Sequence, residues 1–107
     1  MSTSKLLRPM IRFTSFALLI GSSLLLVAGA NAAPPPQAGA CAGCHGQNGI
    51  SFGEDIPNLA GQKKAYLVKA INDYISGRRK NGMMNSMVAN LSASDVEALS
   101  KYYSELK

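Results

Sequence analysis

Both cysteines and the only histidine of this 107-residue chain fall within five consecutive positions, Cys41-Ala42-Gly43-Cys44-His45. A chain that gathers its thiols and its imidazole in one place has few uses for them. A structural zinc site takes about four Cys or His ligands, more than this chain contains. A thioredoxin-like redox pair sits at a helix start in a strand-containing fold, and no segment here alternates like a strand. A Cys41–Cys44 disulfide would close so small a loop that it would stabilise little. The pattern C-x-x-C-H points instead to covalent attachment of haem c. Two thiols one helical turn apart reach the two vinyl groups of one porphyrin as thioethers, and the adjacent His45 offers its imidazole to the iron as proximal ligand. Ala42 and Gly43 are small enough to leave the porphyrin edge room against the backbone.

The first third of the chain reads as an export signal. Lys5, Arg8 and Arg12 are its only charges up to residue 53, and they precede an uncharged stretch from Phe13 to Ala30. A small-residue run with an A-x-A site, Ala30-Asn31-Ala32, follows. Basic, apolar and small-residue regions in that order form a secretory signal peptide, with residues 1–32 removed. The alternative is an uncleaved leader that tethers the chain to the membrane, since the apolar stretch approaches the lower length limit for a span. Thr14, Ser15, Gly21, Ser22, Ser23 and Gly29 dilute that stretch. Either way, residues 33–107 are expected in an extracytoplasmic compartment, the periplasm.

This division changes the meaning of the charge. The whole chain carries a formal +5, which invites a nucleic-acid reading. Without the leader, eight Lys and Arg remain against six Asp and Glu, a balance of +2, and nucleic acid is not an expected partner. Seventy-five residues rarely supply enough stability from their own core, so a covalently held prosthetic group would serve as the staple.

Along the mature part, the proline-rich residues 33–40 read as a tether. Residues 41–61 are glycine-rich and read as loop, with one turn of helix near Cys41–His45. From Gln62 to Ser76, the pairs Tyr66/Leu67, Ala70/Ile71 and Tyr74/Ile75 recur every four residues, one face of a helix that Gly77 stops. Residues 81–91 read as a methionine-rich connection. A last helix opens with a capping arrangement, Ser92 with Asp95 or Ser94 with Glu97, and carries Val96, Leu99, Tyr102, Tyr103 and Leu106 on one face. The fold class is all-α, and residues 41–107 form its one domain.

From Cys41 to Lys107 the chain resembles the class I c-type cytochromes, the short bacterial periplasmic monohaem type, and is also similar to one half of the dihaem ones. The resemblance rests on Cys41-Ala42-Gly43-Cys44-His45-Gly46, on Ile56-Pro57-Asn58-Leu59-Ala60-Gly61-Gln62, and on Tyr66-Leu67. Gly77-Arg78-Arg79-Lys80-Asn81, Met83-Met84 and Leu91-Ser92 through Tyr102-Tyr103 complete it. It implies a small cytochrome c fold around one covalently bound haem c and a distal methionine on the iron. Met83, Met84 and Met87 are the candidates, and Met84 is favoured by its eight-residue lead on Ser92. It also implies that the Pro57 carbonyl accepts a hydrogen bond from the proximal His45 ring. Gly46, Gly49, Gly53 and Gly61 are expected where backbone turns or passes close to the porphyrin. The chain departs from the resemblance before Cys41, where the usual N-terminal helix is short or absent.

The implied function is single-electron transfer by ferric–ferrous cycling, with no catalytic residue and redox proteins as partners. Lys63, Lys64, Lys69, Arg78, Arg79 and Lys80 are placed to steer an acidic patch on such a partner. The alternative is a haem c subunit held within a larger oxidoreductase complex, with association with a membrane complex as its setting. A haem enzyme or ligand sensor with an open distal site is a third reading.

Overall fold

The computed structural model describes residues 32–107, so the expected leader lies outside the described residues, Ala32 apart. Four helices follow one another, α1 (Ala38–His45), α2 (Lys64–Ile75), α3 (Gly82–Val88) and α4 (Ala93–Glu105). No strand occurs among the described residues.

α2 and α4 form the frame, packed on one another. α2 places Leu67 in the core and α4 places Val96, Leu99 and Tyr103 there, all 5% exposed or less. A buried leucine of this kind stabilises by about 1.5–3 kcal/mol relative to an exposed one. Ser92 starts α4 with a reciprocal capping box: its hydroxyl accepts from Asp95 N–H, and the Asp95 carboxylate accepts from Ser92 N–H. Of the two caps allowed by the sequence, the Ser92–Asp95 pair therefore forms. Gly77 ends α2 with φ +75°, the left-handed conformation that glycine adopts without cost.

Two expectations are corrected. Residues 38–40, expected as the end of a tether, form the first turn of α1, and Ala38 is buried against Leu67, Leu99 and Tyr103. The cause is long-range. The Tyr103 hydroxyl donates to the Ala38 carbonyl (3.3 Å) and Gln37 Nε2 donates to the Asp95 carboxylate (2.7 Å), so α4 draws this segment in. Residues 81–91, expected as a connection, contain the helix α3. Asn81 caps it by accepting from Met84 N–H at 3.1 Å. The short N-terminal helix matches expectation, because α1 begins only three residues before Cys41.

Candidate functional site

Cys41 and Cys44 lie one turn apart on α1, so their side chains share a helix face. Both are unpaired thiols, Cys44 exposed and Cys41 partly buried. Burial pushes the Cys41 thiol above its usual range, partly offset by a hydrogen bond with Tyr103. His45 follows as the last helical residue, and its ring is buried.

The loop after α1 fixes that ring. Gly46 (φ +87°) and Gly49 (φ +71°) turn the chain sharply, and the Gly49 N–H donates to the Gly46 carbonyl. The Gly49 carbonyl then accepts from both Leu59 N–H (2.8 Å) and Ala60 N–H (3.0 Å), closing the loop on itself. Gly61 N–H donates to the Tyr103 carbonyl and fastens the closed loop to α4. Pro57, two residues before this clamp, brings its carbonyl oxygen to 2.7 Å from His45 Nδ1. A carbonyl only accepts, so Nδ1 carries the proton and Nε2 keeps its lone pair free for a metal.

α3 brings the methionines. Met83 and Met87 are one turn apart and are 68% and 45% exposed. Met84 is rotated about 100° from Met83 and lies one turn before Val88, which is buried. Met84 therefore occupies the inward side of α3.

Asn85, which sequence reasoning missed, ties α3 to α2. Its Oδ1 accepts from Asn81 N–H (2.8 Å), and its Nδ2 donates to the carbonyls of Tyr74 (2.7 Å) and Arg79 (3.0 Å). The available signal was the Asn81/Asn85 spacing of four across the methionine pair. The α2 end of this tie is held by Asp73. Its buried carboxylate accepts from Lys69 and Arg78, which hold its pKa below the usual value, and its carbonyl accepts from Arg79 N–H.

The donor chemistry fits a covalent haem. Two free thiols stand one turn apart, the next residue is an imidazole with an oriented ring, and a thioether lies on a separate helix. Among the described residues no group of three or more His, Cys, Asp or Glu forms a cage for a bare metal ion. The site and the all-helical frame define a small domain that binds haem covalently through a C-x-x-C-H helix.

Comparison with known proteins agrees. Residues 36–107 match the family described as Cytochrome c, and the chain belongs to that family as a class I c-type cytochrome domain with covalently bound haem c. It is similar to the thiosulfate dehydrogenase electron acceptor of Thiomonas intermedia, with 42% identity over 77 residues, 71% of this chain and 36% of that protein. It is also similar to cytochrome c4 of Pseudomonas aeruginosa, with 35% identity covering 87% of this chain and 47% of that one. Among solved structures, reduced cytochrome c4 from Pseudomonas stutzeri superposes with a TM-score of 0.58 at 40% identity, over 63% of this chain and 38% of that chain. A cytochrome c4 from Acidithiobacillus ferrooxidans gives 0.61 at 31% identity, with the same two coverages. The chain thus spans between about a third and half of the length of these relatives.

Proposed function

We propose that this chain is a single-electron carrier in which Cys41 and Cys44 hold one haem c through thioethers and His45 Nε2 and Met84 Sδ are the axial ligands. The observation that carries the reading is the His45–Pro57 hydrogen bond, which leaves Nε2 free for iron immediately after the two thiols. When bound, haem c supplies a ferric–ferrous couple. The protein's residues do the rest. Pro57 orients the imidazole and strengthens its donation. Met84 supplies a second, neutral ligand from the inward side of α3. With His45 and Met84 both holding the iron, no ligand position would remain for a substrate, which favours a carrier over an enzyme or an open-site sensor.

The partner surface is smaller than the six cations expected from sequence. Lys69 and Arg78 pair with Asp73, and Lys64 pairs with Glu97. Lys63, Arg79 and Lys80 have no acidic partner among the described residues, and they would steer an acidic redox partner in the periplasm. An electron-acceptor protein among the relatives supports a dehydrogenase as donor. The short α1 favours a second reading, a haem subunit packed within a larger oxidoreductase, because α4 is covered only from Ala38 onward by that helix.

The test is the absorption spectrum of protein matured with haem c. A covalent haem and a sulfur–iron charge-transfer band in the ferric state are expected, with loss of that band in Met84→Leu and retention in Met83→Leu and Met87→Leu. Retention in Met84→Leu overturns the ligand assignment. Near-stoichiometric co-purification with a larger subunit overturns the free carrier in favour of the subunit.

A further inference from the structure

α3 has little of its own to keep it in place. It is seven residues long, begins with glycine, and buries one side chain, Val88. Isolated helices of this length do not persist in water. Among the described residues, what joins α3 to the body of the domain by polar contact is the Asn85 carboxamide, and each of its polar atoms is engaged. Its oxygen accepts from the backbone of Asn81, the residue that caps Met84, and its nitrogen donates both protons to carbonyls of the segment that ends α2. That segment is itself pinned by Asp73 through Arg79 N–H, and by Arg79 stacked 4.9 Å above the Tyr74 ring. One side chain therefore connects the cap of the methionine helix to a rigid helix end.

We infer that Asn85 is the positioning residue for the distal ligand, holding α3 so that Met84 stays on the iron against competing ligands. This rests on the assignment of Met84 as that ligand. Met84 can leave the iron by rotation of its own side chain or by movement of α3, and the route that shifts or unwinds α3 strains or breaks the two Nδ2 bonds to Tyr74 and Arg79. Losing both bonds should make displacement easier by about tenfold or more, given the usual worth of a hydrogen bond.

The experiment titrates the ferric holoprotein with imidazole, which competes for the distal position. Asn85→Asp keeps an acceptor for Asn81 N–H and loses both donors; Asn85→Leu loses all three contacts. Both should bind imidazole about tenfold more tightly than the parent. Ser86→Ala, which removes only a bond to the Gly82 carbonyl within α3, should bind it as the parent does. In the parent, both Asn85 Nδ2 protons should exchange slowly with solvent by NMR, a measurement that does not depend on the variants folding. An imidazole affinity within about twofold of the parent in Asn85→Asp or Asn85→Leu, an equal rise in Ser86→Ala, or fast exchange of the Nδ2 protons overturns the inference. If Met84→Leu retains the sulfur–iron band, the ligand assignment falls and takes the inference with it. If Met84→Leu loses the band and the Asn85 variants bind imidazole like the parent, the inference falls alone.

Discussion

The carbonyl oxygen of Pro57 lies 2.7 Å from Nδ1 of His45, and the loop of eleven residues between them is held closed by the Gly49 carbonyl, which accepts from Leu59 and Ala60, and by Asn58 Oδ1, which accepts from Ser51 N–H. The orientation of the imidazole is thus a property of the loop as much as of the helix that carries it. Pro57→Gly keeps the carbonyl but frees its backbone. We expect a loss of about 0.4–1 kcal/mol in stability from the more flexible unfolded chain. We also expect faster exchange of the His45 Nδ1 proton in the reduced holoprotein and a more positive reduction potential, because a loosened bond weakens donation from the ring. Guanidinium unfolding, NMR and spectroelectrochemistry read the three effects. An unchanged exchange rate would show that the carbonyl stays in place without the proline ring.

Gly46 and Gly77 share a positive φ but differ in surroundings. A Cβ at Gly46 would lie 1.9 Å from the Ile50 carbonyl oxygen, whereas one at Gly77 would meet nothing within 4 Å. Gly77→Ala should cost only the conformational strain, about 1–2 kcal/mol. Gly46→Ala must in addition push apart the turn that leads to Pro57, so its loss should exceed that of Gly77→Ala clearly in denaturant unfolding. Equal losses would mean that the loop relaxes freely.

Ser100 is fully buried in α4, and its hydroxyl has no hydrogen-bond partner among the described residues. Removing an unsatisfied buried group relieves its desolvation cost, and alanine is the better helix former. Ser100→Ala should therefore raise stability, by about 0.5–1 kcal/mol, while Ser100→Val should lower it by about 1–3 kcal/mol through overpacking. A destabilised Ser100→Ala would reveal a bound water on the hydroxyl.

Asp73 makes the domain sensitive to acid. Its folded pKa is lowered by hydrogen bonds from Lys69 and Arg78, so its contribution is present above the unfolded value of about 3.9 and is lost as pH falls through the lower folded value. In urea unfolding, the drop in midpoint between pH 6 and the acid side of about pH 3.9 should be smaller in Asp73→Asn than in the parent. Lys69 and Arg78 are largely exposed, so their loss of a partner near neutral pH is eased by water.

Much of the domain was legible in the sequence because its signals are local. The spacing of Cys41, Cys44 and His45 specifies a covalent haem, and the four-residue recurrence after Gln62 specifies α2. Ser92 and Asp95 specify the start of α4, and Gly77 the end of α2. α3 was not legible, since Gly82, Asn85 and Ser86 are weak helix formers and seven residues do not sustain a helix alone. Its helicity comes from the Asn81 cap and from Asn85 reaching back to Tyr74 and Arg79. The start of α1 was hidden for a similar reason, because Ala38 is helical and buried only where Tyr103, 65 residues away, meets its carbonyl.

The sequence by itself determined the prosthetic group and the residues that attach it, since those depend on covalent spacing within one turn of helix. It also determined that residues 33–107 carry a modest charge, eight Lys and Arg against six Asp and Glu. Only the tertiary structure decided which cations remain unpaired, which face of α3 turns inward with Met84, and how the His45 ring and the methionine helix are held. Those depend on backbone carbonyls and carboxylates brought together by the fold, and such pairings leave no local periodicity in the chain.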